Sequence, residues 1–195
     1  TYPSIFKYIR NTYPEAALGS IVNWSPINHG VIEHNIDVNL QTTNTDTGIA
    51  NLAIDYWKEN DPMMTFIHFD SVDHEGHSTG YQKDQYYRAL EAADVEVGRI
   101  YDSLNELGYL EDTLFIILTD HGGVGTNHGG SDPREMNCTY IAKGKSVVPG
   151  EYTNEATNNV LTTASMSSVV AAALGVAQSG EYDYTVPDNY FKDYT

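Results

Sequence analysis

The sequence is poor in several things at once. It has one cysteine in 195 residues, Cys138, which excludes an internal disulfide framework. Lysine and arginine number 10 against 27 acidic residues, a net charge of −17. That balance excludes the clustered basic surface that binding a nucleic-acid polymer requires. No apolar run approaches the roughly 18–20 residues of a membrane-spanning helix; the longest, "VVAAALGVA", falls far short. The opening "TYPSIFKYIRNTYPE" carries no signal-peptide pattern. Internal repeats, low-complexity tracts and a dividing linker are absent too. What is there is 41 % apolar and long enough for one domain with a real core. The acidity serves solubility first, and it is compatible with multivalent cations.

Helical and strand patterns alternate along the chain. Residues 4–11 form a short helical stretch ended by Pro14, and 17–24 have the apolar, β-favouring character of a strand. Apolar positions 49, 52, 53, 56 and 57 give residues 45–60 helical spacing. "PMMTFIHF" (62–69) is a continuous apolar run of strand length. The longest helical pattern, about 82–107, offers Tyr87, Leu90, Val97, Tyr101 and Leu104 as its buried stripe, with Gly108 as its C-terminal stop. "TLFIILT" (113–119) is apolar on both faces, as a strand inside a parallel sheet is. Residues 137–144 form a further candidate strand, and 162–175 a helix ending at Gly175. The aromatic, acidic tail (181–195) is expected to be irregular, with its tyrosines laid on the core. This alternation predicts an α/β fold with a mostly parallel sheet, in which ligands gather beyond the carboxyl ends of the strands.

Polar clusters follow both strong strands. "HFDSVDHEGHSTG" (68–80) comes after the first, and "TDHGG" (119–123) after the second, with "NHGG" (127–130) close behind. These segments hold His68, His74, His77, His121 and His128, whereas His29 and His34 lie elsewhere and are expected to face solvent. A catalytic divalent ion such as zinc takes carboxylate and imidazole ligands and keeps one position open. Asp73 and His77 lie four residues apart with Gly76 allowing a tight turn between them, and His128 can complete a three-ligand set. Asp120 and His121 are adjacent at a strand terminus, where the following glycines let both reach one ion. Asp70 is placed to orient a ligand imidazole. His74 and Glu75 are supporting at most, and His68, within the strand, reads as a hydrogen-bonded structural histidine.

With "DHEGHSTG" (73–80) in the pattern D-x-x-G-H-x-x-G, then "TLFIILTDHGG", "HGGSDPREMNCTYIAKG" and "LTTASMSSVVAAALGV" in that order, the chain resembles the alkaline phosphatase superfamily. The likeness is greatest to its type I phosphodiesterase and nucleotide pyrophosphatase branch, and it runs through most of the chain. The resemblance implies an alkaline-phosphatase-like three-layer α/β sandwich. It implies two divalent ions, zinc or in related branches manganese, one held by Asp73, His77 and His128 and the second by Asp120 and His121. The implied reaction is in-line displacement at the phosphorus of a small phosphoester substrate. Attack by a Thr or Ser gives a covalent phospho-enzyme that water then releases. An extracellular or periplasmic setting goes with the family.

The sequence departs from that pattern in one respect. Family members carry an N-terminal strand ending in an Asp that binds the second ion, followed by the nucleophilic Thr or Ser at a helix start. Neither is found here, so residues 1–195 are expected to be a single, partial domain lacking that strand and its nucleophile. Its partners would then include the missing N-terminal segment or another chain. The chain would be inactive alone; the alternative is a non-catalytic metal-binding or structural module of the same fold. A sulfatase is disfavoured because Cys138, in "MNCTY", does not match that family's modified-cysteine motif. The short interval between His77 and Asp120 leaves no room for the inserted domain of a metal-dependent phosphoglycerate mutase.

Overall fold

Three strands of the sheet run the same way, as strands joined by crossover connections can. The structure, a computed structural model, describes residues 3–154, 159–177, 186–187 and 190–192. Helix α1 (Ile5–Thr12) starts at Ser4, whose side chain accepts from Lys7 N–H, and leads into β1 (Leu18–Val22). A π-helical turn (Ile27–Val31) and β2 (Asn39–Thr42) follow, then α2 (Asp46–Glu59), capped by Thr45, and β3 (Met64–His68). Strand order is β2-β1-β3, all parallel, with Ile21 opposite Ile67. Helices α3 (Ser71–Thr79) and α4 (Asp84–Glu106) lead to β4 (Phe115–Leu118). The short α5 (Pro133–Met136) then leads to β5 (Tyr140–Lys143), which pairs antiparallel with β4. A small antiparallel pair, β6 (Thr153–Asn154) with β7 (Asn159–Val160), precedes α6 (Met166–Ala173).

Side-chain alternation along the strands assembles three layers. From β1, Ile21 faces the layer of α2 and α4, joining Ile49, Tyr56, Trp57 and Ile100, while Leu18 faces α1 and α6, joining Phe6, Ile9 and Ala171. β3 divides the same way, with Ile67 toward the first layer and Met64 toward the second. On β4, Phe115 packs with the α2–α4 cluster, and Ile116 packs with Val169 of α6 and Tyr190. The two sheet pieces therefore lie between the same two helix layers, an alkaline-phosphatase-like α/β arrangement, with β5 running antiparallel to β4.

β3 and β4 do not pair with each other. β1, hydrogen-bonded on both edges, is buried at every position; β3 and β4, paired on one edge each, have no fully buried position despite equally apolar sequences. Phe66 and Leu118 are exposed. The expectation that residues 113–119 are covered on both faces is thus only partly met among the described residues.

Most expected elements are present, and three differ. Residues 71–79, read as a glycine-shaped turn, are helix α3. β2 has no apolar pattern to mark it, being mostly exposed. The buried line of α4 follows Ala93, Ile100 and Leu104, whereas Tyr87 and Leu90 are exposed. Positions 90, 97 and 104 repeat every seven residues, a spacing that drifts about 20° per repeat on a straight 3.6-residue helix. Gly108 does end α4. Its φ of 78° suits a residue without Cβ, Gly108 N–H donates to Asn105 C=O, and Tyr109 N–H donates to Leu104 C=O. Gly175, φ 65°, closes α6 in the same manner. Of the tail, Tyr190 is buried beside Tyr152 and Phe191; residues 181–185, 188–189 and 193–195 lie outside the described residues.

Candidate metal centre

α3 begins where β3 ends, and its start is tied down by a carboxylate from another helix. Asp46, buried in the first turn of α2, accepts hydrogen bonds from Asp70 N–H (3.3 Å) and from the Ser71 hydroxyl. A carboxylate at a helix N-terminus satisfies free N–H groups and complements the helix dipole. α3 then presents Asp73 and His77 one turn apart on the same face, as i and i+4 residues are. His77 Nε2 lies 3.4 Å from Asp73 Oδ2. Gly76 serves space and not a turn: it is buried in the helix, and a Cβ there would stand 2.5 Å from the Tyr81 ring.

The loop after β4 brings the other imidazoles. His121 Nε2 is 4.0 Å, and His128 Nε2 3.8 Å, from Asp73 Oδ1. His121 and His128 stack with ring centroids 3.7 Å apart, and His77 lies 5.0 Å from His128. Two reciprocal hydrogen bonds between Val124 and Asn127 pin the hairpin that carries His128, and Gly122 N–H donates to Glu135 C=O of α5. Asp73, His77 and His128 thus offer ligand atoms that all lie within 4.8 Å of one another. Asp120, its side chain 82 % exposed, stands at the rim of this group, its Oδ2 3.5 Å from His121 Nε2.

These spacings suit an ion. Bonds of about 2.0–2.1 Å at a tetrahedral centre put donor atoms about 3.4 Å apart. The pairs Asp73–His77 and Asp120–His121 meet that value, and the separations to His128 and His121 are slightly wider. Backbone carbonyls fix which nitrogens are free: His77 Nδ1 bonds Thr126 C=O at 2.8 Å and His121 Nδ1 bonds Gly122 C=O at 2.9 Å, leaving each Nε2 toward the centre. This is the orienting role expected of Asp70, which the described hydrogen bonds do not give to its carboxylate.

His74 is exposed, as are His29 and His34. His68 differs from its reading as a hydrogen-bonded residue: its Nδ1 is buried without a hydrogen-bond partner among the described residues. Two residues of the site were not visible in the sequence. Tyr81 donates its hydroxyl to Asp73 Oδ1, and burial first, then that bond and the Asp73 charge, push its ionisation well above the usual tyrosine range. Nothing sets Tyr81 apart in a chain of 15 tyrosines, and Asp46 looks like an ordinary first-turn acid.

The family model of type I phosphodiesterase / nucleotide pyrophosphatase matches residues 8–193. Among curated proteins, GPI ethanolamine phosphate transferase 2 of Aspergillus fumigatus is 35 % identical over 84 residues, 43 % of this chain and 11 % of the relative. GPI ethanolamine phosphate transferase 1 of Saccharomyces cerevisiae is 27 % identical over 95 residues, 48 % of this chain and 10 % of the relative. The chain therefore spans about a tenth of the length of these relatives. The crystal structure of Ps i-CgsB in complex with k-i-k-neocarrahexaose superposes with a TM-score of 0.64 at 11 % identity, covering 95 % of this chain and 56 % of that one, a likeness of fold.

Proposed function

The chain belongs to the type I phosphodiesterase / nucleotide pyrophosphatase family, and from that premise we propose that it is the ion-holding part of a metal-dependent phosphoester-processing enzyme. The reaction class is displacement at phosphorus, with hydrolysis of a small phosphodiester or phosphomonoester as the leading form. The likeness to two phosphate transferases supports phosphoester chemistry and leaves an alcohol as an alternative acceptor to water. The single observation that carries the reading is the convergence of Asp73, His77 and His128 on one point. Asp73, His77 and His128 would hold one divalent ion, and Asp120 with His121 a second; zinc suits this donor set, with manganese a tolerated substitute. Bound ions would neutralise charge on the phosphoryl oxygens and lower the pKa of the attacking group.

The chain's own residues supply orientation. Thr126 and Gly122 carbonyls hold two imidazoles by their Nδ1 atoms, and Asp46 anchors the helix that carries Asp73 and His77. The attacking hydroxyl is proposed to come from polypeptide outside these 195 residues, at a helix start that follows a strand seated between β3 and β4. Each of those two strands ends its sheet and carries an exposed apolar residue, Phe66 and Leu118, which supports this, because such edges are stable when paired. Residues 1–195 would then be one partial domain.

Zinc-dependent hydrolysis of p-nitrophenyl phosphate and of p-nitrophenyl phenylphosphonate tests the reading. The 195-residue chain alone should turn over essentially nothing. A longer polypeptide containing it should turn over with zinc and lose that activity on His77→Ala. Turnover by the chain alone would overturn the external attacking group. A longer form that binds zinc yet processes no phosphoester would favour the alternative, a non-catalytic metal-binding module.

A further inference from the structure

Tyr81 stands one residue beyond the motif that holds Asp73 and His77, and the fold goes to unusual lengths to fix its ring. It is only 6 % exposed. Its backbone N–H donates to Gly125 C=O at 2.8 Å, fastening the end of α3 to the loop after β4. Its ring occupies the space that a Cβ on Gly76 of α3 or on Gly123 of the loop would need. The two glycines therefore form a slot for this ring, one from each of the segments that contribute imidazoles. The ring edge also meets His77 and His128, with centroids 5.8 and 6.4 Å away.

From that fixed ring the hydroxyl reaches Asp73 Oδ1. Oδ1 is also the oxygen nearest His121 and His128, while Oδ2 faces His77. We infer that Tyr81 is a positioning residue for the ion-holding carboxylate, donating to Oδ1 so that Asp73 keeps one carboxylate orientation and presents Oδ2 beside His77 Nε2. The Asp73 carboxylate turns about its Cβ–Cγ bond within reach of three imidazoles. With the Tyr81 hydroxyl in place, its orientation is set before an ion arrives; without it, the carboxylate is free to close onto His121 or His128. Hydrogen-bonded partners of a ligand act on metal affinity in this way, and their loss costs about 10–100-fold.

The inference rests on the metal reading above, and zinc binding measured by competition with a chromophoric chelator at neutral pH separates the two. Tyr81→Phe keeps the ring in its slot and removes only the donor. Its zinc affinity is expected to fall about tenfold or more, with the melting temperature of the metal-free protein unchanged. In an Asp73→Asn background, where the carboxylate is already gone, the same substitution should change affinity less than twofold. Wild-type affinity in Tyr81→Phe overturns the positioning role. So does an equal loss in both backgrounds, which marks a merely structural tyrosine. A wild-type chain that binds no zinc instead refutes the metal reading, and this inference with it.

Discussion

The imidazole of His121 lies on that of His128, ring centroids 3.7 Å apart and planes 18° from parallel. The stack joins a residue at the end of β4 to one on the following hairpin, and places both Nε2 atoms near Asp73 Oδ1. His128→Ala removes a proposed ligand and the surface on which His121 rests. Zinc affinity should fall by more than the about 10–100-fold typical of losing an outer partner, and His77→Ala should do the same. His74→Ala, three residues before His77 but exposed, should leave affinity within twofold. Calorimetric titration with zinc checks all three, and a large effect at His74 would sink the ligand assignment.

Gly76 and Gly123 leave no room for a methyl group beside the Tyr81 ring. Gly76→Ala should destabilise the fold by about 1–3 kcal/mol, the usual cost of overpacking. Much of that cost should vanish in the double variant with Tyr81→Leu, since residues in contact do not act additively. Urea denaturation of the four-member cycle measures it. Additive costs would show that the crowding lies elsewhere.

Asp46 receives the Ser71 hydroxyl and Asp70 N–H while itself buried. Asp46→Ala leaves those donors unsatisfied at the start of α3, and a loss of about 1–3 kcal/mol is expected. Because α3 carries Asp73 and His77, zinc affinity should weaken as well. Unchanged affinity alongside reduced stability would mean that the helix keeps its position without this anchor.

Burial pushes up the hydroxyl pKa values of Tyr56, Tyr81, Tyr86, Tyr140, Tyr152 and Tyr190. In the unfolded chain these phenols ionise near pH 10. The folded state therefore binds protons more tightly, and its advantage is complete below about pH 10 and lost as pH rises through the folded values. Absorbance at 295 nm should rise in two phases, exposed tyrosines first and these six together with unfolding. A single transition near pH 10 with the circular dichroism intact would contradict the burial.

How much of this was legible in the sequence depended on distance along the chain. The α1, α2 and α4 helices, β1, β3, β4 and β5 follow from local pattern and caps, because spacing and turn chemistry are local. That Asp73, His77 and His128 come together could be anticipated from residue types that bind ions at strand ends. The form of the segment between Asp73 and His77 could not, since a helix with a glycine at its buried contact and a glycine-shaped turn look alike until Tyr81 is in place. Tyr81 and Asp46 act across tertiary contacts that leave no periodic trace. The edges of β3 and β4 are visible only once pairing is known, as both strands read like interior ones.

Asp73 and His77 follow β3, and His121 and His128 follow β4, strands that share no hydrogen bond. The spacing of those two strands thus sets the bite of the proposed ion-holding group. A polypeptide seated between them and an ion seated above them would each be sensed by the other. By thermodynamic reciprocity, whatever factor the inserted strand adds to ion affinity, the ion returns to strand affinity. Metal loading would then report on assembly, with a chelator loosening the sheet at a point that touches no metal.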